Sequence, residues 1–368
     1  MSSLFGKAFV VATWGESHGP SVGCVVDGCP SGLVLSEADL QRELDRRRPG
    51  TSEVVSPRRE GDRVEILSGV FHGRTVGSPI AMVVRNVDAD PSKYEAIKDL
   101  ARPGHADYTY AIKYGHRDWR GGGRQSARET VGRVAAGAVA RKLLRIFGVE
   151  VVAYTVKIGR VRLPVAPEAT PRGLPGLRKR IDASPVRCPD PGVSKRMEGE
   201  ILAAKEDGDS VGGVVECVAL GVPPGLGEPV FDKLGADLGK ALLSLPTVKG
   251  VEFGEGFAIT DLRGSKSNDL FERRGGRIVT KTNHMGGLLG GISNGMPVVM
   301  RAAFKPASSI RKEQETVELK TGRKRKIAVE GRHDPCVVPR AVPIVEAMAG
   351  LVLADHGIRS GFIPRKLA

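Results

Sequence analysis

Apolar residues recur along the chain with two different spacings, which predict strands and helices respectively. Alternating or continuous apolar runs, which are typical of strands, occupy residues 7–13, 21–27, 63–70, 78–87, 150–158, 210–215, 248–259 and 297–304. Apolar positions three and four residues apart, which are typical of helices, occupy residues 37–48, 131–146, 194–207, 232–245 and 341–356. Hairpin-like strands with separate long helices favour an α+β fold with antiparallel sheets over a βαβ nucleotide-binding fold.

Two long segments show neither spacing. Residues 101–124 have little apolar periodicity, and an irregular segment of that length inside a compact domain is often functional. Residues 160–193 contain repeated prolines and are predicted to be a surface connection. The helix at residues 37–48 is better defined, because Ser36 and Asp39 fit a capping box before it and a Pro-Gly pair ends it.

Two stretches of the sequence resemble each other. SVGCVV at residues 21–26 is followed by GCPSGL, and SVGGVV at residues 210–215 is followed by GVPPGL. A helix is predicted after each stretch. This pattern predicts one domain over residues 1–368, built from two pseudo-repeated halves at about 1–150 and 194–368. The alternative is a coincidence between two strand exits that are rich in glycine and proline.

The sequence GGGRQSARET at residues 121–130 is the strongest candidate for a ligand-binding loop. Glycine lets the backbone approach a ligand closely, and the loop directly precedes a predicted helix. The free N–H groups and the dipole of a helix start favour an anion, and Arg124, Ser126 and Arg128 add charge and donors. A flexible loop before an amphipathic helix explains this stretch equally well when it is considered alone.

The chain carries an excess of basic residues. Its net charge of +14 and its pI of about 9.7 indicate an anionic partner, such as nucleic acid, a membrane surface or a charged small molecule. Aromatic residues make up only 5% of the chain and the basic residues are dispersed, which disfavours a nucleic-acid-binding protein.

The apolar run at residues 9–12 is far too short to span a membrane. Five cysteines without a CxxC pair predict reduced, mostly buried thiols of a cytoplasmic protein.

Histidine is the side chain best suited to move protons near neutral pH. Three of the seven histidines lie in polar loop motifs: His18 in GESHG, His105 in RPGHAD and His333 in RHD. No two histidines have a metal-ligand spacing such as HExxH, so no metal site is predicted. The remaining histidines are predicted to be solvated, namely His72, His116, His284 and His356.

Arginines are abundant in the same loops. Guanidinium groups bind phosphates and carboxylates in a bidentate manner, so arginines beside glycine and histidine predict an anion pocket. The basic run at residues 323–326 is interpreted as solvated surface. The loop arginines are Arg46, Arg47, Arg48, Arg58, Arg59, Arg102, Arg124, Arg128 and Arg332.

Taken together, these motifs resemble the chorismate synthase family. The family's signatures correspond to GESHG at residues 15–19 with the strand after it, to residues 122–140, and to RHDPC at residues 332–336 with the helix after it. Shorter matches are DRRRPG at residues 45–50, RPGHAD at 102–107, VKGVE at 248–252 and NH at 283–284. The resemblance covers essentially the whole chain and is weakest at residues 160–193.

The resemblance implies a lyase that converts 5-enolpyruvylshikimate 3-phosphate to chorismate by anti-1,4 elimination of phosphate, in the shikimate pathway to aromatic amino acids. It implies reduced FMN as the cofactor, although the reaction has no net redox change, with NADPH as a possible flavin reductant. It also implies a homotetramer of chains folded as a β-α-β sandwich, with helices between two antiparallel sheets. The expected partner is therefore a small-molecule substrate, rather than nucleic acid or a membrane.

The resemblance further implies roles for individual residues. His18 would protonate or neutralise the departing phosphate, His105 would lie at the pyrimidine edge of the flavin, and Asp334 would assist proton removal at flavin N5. The implied substrate-binding residues are Ser17, Arg47, Arg102, Arg128 and Arg332. The implied FMN-binding residues are Arg124, Gln125, Ser126, Gly290, Lys305, Pro306, Ala307, Ser308, Ser309 and Arg332.

The chain departs from the family pattern at two places. Glu53 stands where many members carry a basic residue assigned to anion or NADPH contact, and Arg58 or Arg59 is the candidate to replace it. Pro246 and Thr247 stand where members often have Asn-Ala beside the flavin, so backbone contacts are expected there. A flavin oxidoreductase that transfers hydride is the remaining alternative, which the lack of a GxGxxG fingerprint disfavours.

Overall fold

The bounds of the strands and helices come from a computed structural model, which describes residues 3–50, 52–56, 60–88, 90–331 and 333–367. The strands are β1 (Leu4–Phe5), β2 (Val10–Gly15), β3 (Ser21–Asp27), β4 (Val64–Ile66), β5 (Val70–Phe71), β6 (Arg74–Thr75), β7 (Ile80–Arg85), β8 (Glu150–Ile158), β9 (Val161–Arg162), β10 (Gly213–Leu220), β11 (Val248–Phe253), β12 (Phe271–Arg274), β13 (Arg277–Thr280), β14 (Leu288–Leu289), β15 (Ile292–Ser293), β16 (Val298–Phe304), β17 (Gln314–Val317) and β18 (Lys324–Ile327). The helices are α1 (Glu37–Arg47), α2 (Ser92–Glu95), α3 (Asp107–Tyr114), α4 (Thr130–Ile146), α5 (Leu174–Ala183), α6 (Pro191–Glu206), α7 (Leu234–Leu243), α8 (Gly264–Ser267) and α9 (Val338–Arg359).

Two five-stranded sheets are the largest β structures of the described residues. The strand order is β1-β2-β3-β7-β4 in the first sheet and β11-β16-β10-β8-β9 in the second. Neighbouring strands run antiparallel, with Val22 opposite Val84 in the first sheet and Cys217 opposite Met300 in the second. The remaining strands form small two-stranded hairpins. The predicted α+β fold with antiparallel sheets is confirmed.

Successive parts of the chain build the two sheets in the same order. In the first sheet β2 and β7 flank β3, and β4 lies beyond β7; in the second, β8 and β16 flank β10, and β11 lies beyond β16. The helices correspond as well, because α1 and α7 follow the central strands, and α4 and α9 follow β7 and β16. An internal duplication predicts this correspondence. The second series of elements starts with β8 at Glu150 rather than at residue 194.

The helices α1, α4, α7 and α9 form the layer between the two sheets. α4 packs on β2, β3 and β7, α9 packs on β8 and β10, and the two helices pack against each other. Nearly every residue of α9 is buried, which explains why it is apolar all round. Among the described residues α9 is the one helix long and apolar enough to cross a membrane, and its apolar segment is entirely buried within the protein.

Gly137 allows α4 and α9 to approach each other closely. A Cβ built at Gly137 would overlap the Cβ of Ala347 on α9 and would lie 2.6 Å from its Cα. Any side chain at this position must therefore push the two central helices apart.

Gly137→Ala is expected to lower the free energy of unfolding by about 1–3 kcal/mol, because an added methyl group overpacks this contact. Gly199→Ala on α6 is the matched control, because a Cβ there meets none of the described atoms within 4 Å. Alanine is favoured over glycine in a helix interior by about 0.5–1 kcal/mol, so the control should be slightly more stable than the wild type. Urea unfolding measures both changes. A Gly137→Ala protein as stable as the control would contradict the overpacking argument.

Some segments contain more regular structure than their spacing predicts. α3 lies within residues 101–124, and α5 with the start of α6 lies within the proline-rich segment at residues 160–193. Proline is compatible with a first helical turn, where Pro175 and Pro191 stand. α6 therefore begins at Pro191, capped by the Asp190 carboxylate 2.8 Å from the N–H of Val193, and not at Ser194. The strand predicted at residues 248–259 ends earlier, at the end of β11.

Candidate active site

A cleft of about 850 Å³ is lined by residues from both halves of the chain. Most of the predicted site residues line it, namely Ser17, His18, Arg47, Arg102, His105, Arg124, Gln125, Ser126, Arg128, Lys305, Ala307, Ser308, Ser309 and Asp334. Gly290 and Pro306 are not among the described residues of its lining. Arg332, Arg58 and Arg59 lie outside the described residues.

The glycine loop before α4 lies against two of the histidines. Gly121 and Gly122 have φ angles of 62° and 104°, in the left-handed region that favours glycine. A Cβ at Gly121 would overlap the ring of His18, and a Cβ at Gly122 would lie 3.0 Å from Cε1 of His105. The N–H of Ser17 donates to the carbonyl of the third glycine at 3.2 Å. Glycine is therefore required here because both imidazoles lie directly against the backbone.

Three guanidinium groups lie close together beside the cleft. Arg47 Nη1 donates to Asp62 Oδ2 at 3.0 Å, and Arg128 pairs with the other oxygen of this carboxylate. Arg340 Nε donates to the main-chain oxygen of Arg47 at 3.1 Å. Burial, together with the charge of Arg340, lowers the pKa of Arg47 to about 9, against the opposing effect of Asp62. Asp62 is thus shared by Arg47 and Arg128, while Arg340 pairs with Asp334. Nη2 of Arg128 has no hydrogen-bond partner among the described residues, so it can donate to a bound anion.

A second cationic group is built around Asp107, the first residue of α3. Arg102 donates to this carboxylate through Nε at 2.7 Å and through Nη2 at 2.9 Å, and Arg117 donates to it at 3.1 Å. Nδ1 of His105 lies 3.4 Å from Asp107 Oδ1. Burial alone would raise the pKa of Asp107, but hydrogen bonds from Arg102 and the nearby imidazole of His105 hold it well below its usual range. The ionised carboxylate thus fixes both side chains.

Asp334 is held by donors from two distant segments. Its Oδ1 accepts the main-chain N–H of Ser56 at 2.7 Å, and its Oδ2 accepts Nη1 of Arg340 at 2.5 Å. Arg340 belongs to the first turn of α9, so the cation beside Asp334 comes from the helix that follows its own loop. These two contacts fix the direction of the carboxylate.

The loop at residues 305–309 lies against the loop that carries His105. Lys305 Nζ donates to Ser308 Oγ at 2.5 Å, and Ser308 Oγ donates to the main-chain oxygen of Gly104 at 2.7 Å. Burial and the nearby charge of Lys249 lower the pKa of Lys305. Cations from the second half of the chain are thus brought beside the histidine loops of the first half.

The predicted cofactor residues before α4 are tied to their neighbours. Arg124 donates to Thr13 Oγ1 at 2.7 Å, and Gln125 pairs with a tyrosine hydroxyl of α3. Ser126 Oγ accepts the N–H of Arg128 at 3.3 Å and so caps a short 3₁₀ turn. Two such turns precede α4, which begins only after them, so the glycine loop does not itself open the long helix.

Comparison with known proteins shows the family. The sequence matches the family model described as chorismate synthase over residues 9–358. It is 57% identical over 360 residues to the chorismate synthase of Opitutus terrae, covering 98% of this chain and 97% of that protein. It is 54% identical to the chorismate synthase of Methanosarcina barkeri, with 99% of each chain covered. The chain belongs to the chorismate synthase family.

A solved structure described as the crystal structure of chorismate synthase has a similar fold. The TM-score is 0.77 at 34% sequence identity, with 96% of this chain and 92% of that chain covered. Membership of the chorismate synthase family confirms that the protein is an enzyme of the lyase class. The roles of its individual residues stay predictions.

Several residues in or beside the cleft of this chorismate synthase family member were not predicted from the sequence: Tyr94, Asp62, Lys249 and Arg340. Asp62 pairs with arginines that lie 15 and 66 residues away, and no local pattern signals such a pairing. Arg340 could have been found, because it lies four residues after the RHDPC motif and directly before the helix predicted at residues 341–356.

Arg46 does not belong to the anion pocket in which it was predicted. It pairs with Glu346 at 2.5 Å, with Glu43 at 2.9 Å and with Asp182 at 3.1 Å. Burial would raise the pKa of Glu346, but Arg141 and Arg46 lower it to about 2. This ion-pair cluster joins α1, α4, α5 and α9, so Arg46 stabilises the contact between helices.

Two predictions about titratable groups concern residues outside the cleft. The prediction for His356 is wrong, and the prediction for the cysteines is confirmed. His356 is buried in α9 and not solvated, with its Nε2 2.8 Å from Asp237 Oδ2. The cysteines are free and buried, as predicted. Burial raises the pKa of Cys24, Cys29 and Cys336 to about 12, so these thiols stay neutral.

Proposed function

We propose that the protein eliminates phosphate from 5-enolpyruvylshikimate 3-phosphate in an anti-1,4 sense to give chorismate, with reduced FMN as the cofactor. The observation that carries this proposal is the charge of the cleft: ten Lys and Arg side chains but four Asp and Glu side chains are among its described lining residues, together with the imidazoles of His18 and His105. The substrate has a phosphate and two carboxylates, so its site needs fixed cations and proton-transfer groups. Arg47, Arg102 and Arg128 are 1%, 5% and 4% exposed, and each is paired with a buried carboxylate.

The donors of the cleft fit an FMN. Arg124 and Lys305 supply cations, and Ser308 and Ser309 supply hydroxyl groups, for a phosphate and for the polar edge of a flavin. When bound, reduced FMN supplies electron density that stabilises the charge developing as the C–O bond breaks.

The side chains of the cleft can serve both bond-breaking events. The electron pair of the C–H bond forms one new ring double bond, and the π pair of the existing ring double bond shifts to form the second. The electron pair of the C–O bond leaves with phosphate, so there is no net redox change. His18 would donate a proton to the departing phosphate oxygen, while Arg47 and Arg128 stabilise its charge. Asp334 would hold the proton that the ring loses, and His105 would hold a proton at the pyrimidine edge of the cofactor.

The test is an anaerobic assay that measures phosphate, chorismate and the flavin spectrum together, with FMN reduced by dithionite. Equal amounts of phosphate and chorismate, with the flavin still reduced at the end, are expected. Stoichiometric oxidation of the flavin would indicate hydride transfer instead and would overturn the elimination. Oxidised FMN is the control and should give no product. Tight retention on heparin without any turnover would favour the nucleic-acid-binding alternative.

We also propose that the chain acts as a cytoplasmic homotetramer. Large apolar side chains are exposed on the single chain, among them Phe231, Phe257 and Ile278 at 89%, 78% and 75%. Side chains this exposed and apolar are available for burial against neighbouring subunits in a closed assembly. Sedimentation that finds only the 39.1 kDa chain at micromolar concentration would contradict the assembly.

A further inference from the structure

Tyr94 on α2 lies among three segments of the cleft that are far apart in the sequence. Its ring centroid is 5.4 Å from that of His18 and 6.4 Å from that of His333. Both pairs are edge-to-face, with interplanar angles of 72° and 73°. The guanidinium carbon of Arg102 lies 5.8 Å from the same ring centroid. One aromatic side chain thus contacts a group from each of three loops.

His18 is confined by Tyr94 and by the glycine loop. The backbone of Gly121 lies so close that a Cβ there would overlap the imidazole, and the ring of Tyr94 covers a further side. The imidazole cannot change its rotamer without displacing one of these neighbours. Edge-to-face pairs are favourable at this centroid separation, so Tyr94 stabilises one orientation of the imidazole.

The other two neighbours of Tyr94 are held independently of it. Arg102 is fixed by its two hydrogen bonds to Asp107. Burial, together with the charge of Arg102, lowers the pKa of His333 to about 4, so this ring is neutral and packs inside its own loop against Gly331. Removing the ring of Tyr94 should therefore disturb His18 before it disturbs the substrate-binding cations.

We propose that Tyr94 is a positioning residue, whose ring holds the imidazole of His18 in the orientation that proton transfer requires. The proposal rests on the proposed function, in which His18 donates a proton to the departing phosphate. A displacement of about 1 Å in a reacting group can cost about a hundredfold in rate, so the positioning of His18 has a measurable effect.

Tyr94→Leu is expected to lower kcat about ten- to hundredfold with little change in KM, because the cations that bind the substrate stay in place. Tyr94→Phe keeps the ring and should therefore turn over much faster than Tyr94→Leu. Tyr108→Leu is the matched control, because Tyr108 is 58% exposed on α3 and is not among the described residues of the cleft lining.

If Tyr94→Leu does not fold, Tyr94→Met removes the ring with less loss of volume and should show the same loss of kcat. A Phe variant as slow as the Leu variant would overturn the role of the ring.

A double-mutant cycle with His18→Ala tests whether Tyr94 acts through His18. If it does, Tyr94→Leu causes no further loss of rate in the His18→Ala protein. The same fold-loss in both backgrounds would show that Tyr94 acts independently of His18 and would overturn the proposal.

A spectroscopic measurement tests the placement without any turnover. The NMR signal of the His18 Cε1–H proton should carry a ring-current shift from Tyr94 that is kept in Tyr94→Phe and lost in Tyr94→Leu. An unchanged signal in Tyr94→Leu would overturn the proposal even if the wild type forms chorismate. Failure of the wild type to form chorismate would instead overturn the proposed function, so the two failures are distinguishable.

Discussion

We expect His105→Ala to lower kcat about a hundredfold or more with little change in KM, which is the usual scale for a positioned proton-transfer group. The imidazole lies against the glycine loop and 3.4 Å from Asp107, whereas the substrate-binding cations are separate side chains. Arg102 keeps both hydrogen bonds to Asp107 when the ring is removed, so substrate binding should survive. Single-turnover chorismate formation with reduced FMN under anaerobic conditions measures the loss.

His18→Ala should show a similar loss, and the two losses should be non-additive if both imidazoles serve one proton circuit. His116→Ala is the matched control, because His116 is exposed after the end of α3 and should not affect turnover. Wild-type rates in either cleft variant would remove that histidine from the mechanism.

The elements with strong periodicity could be predicted from the sequence, and those stabilised by long-range contacts could not. β3 and β8 have the predicted bounds, because each is a continuous apolar run with a polar or glycine-rich end. α3 is only eight residues long and Asp107 is its one buried residue, so neither its length nor burial of an apolar face stabilises it as a helix. Its first residue, Asp107, instead binds Arg102 and Arg117, an interaction that exists only in the folded chain.

The same distinction applies to the site. His18, His105 and Arg128 lie in motifs that combine glycine with histidine or arginine, so local chemistry indicated them. Asp62 and Tyr94 lie in segments without such a motif and act only on partners that folding brings to them. Sequence reasoning indicated arginines and histidines that line the cleft, but not Asp62 and Tyr94, which contact them.

A still larger effect is expected for Asp334→Asn, in which kcat should fall roughly a hundred- to ten-thousandfold while FMN and substrate bind nearly normally. The asparagine keeps the shape of the side chain and can still accept the N–H of Ser56, but it cannot hold the proton that the substrate ring loses. Pro335 restricts the backbone of Asp334 to extended conformations, so the side chain cannot easily turn away. Anaerobic single-turnover chorismate formation is the decisive measurement, with flavin binding measured separately.

The substitution also removes an ion pair with Arg340, and a matched control separates this effect from the loss of a base. Asp62→Asn makes the same isosteric change at a buried carboxylate that pairs with Arg47 and Arg128 but is not among the described residues of the cleft lining. If the only role of Asp334 were to neutralise an arginine, Asp334→Asn and Asp62→Asn would both lower stability and substrate affinity, and they would change kcat to the same extent. If Asp334 is the base, Asp334→Asn lowers kcat, whereas Asp62→Asn mainly raises KM because its arginines are no longer held in place.

A nucleic-acid-binding protein has no reason to lose function when either carboxylate is replaced by an amide of the same shape. Near-normal turnover in Asp334→Asn, with flavin binding intact, would remove Asp334 from the mechanism.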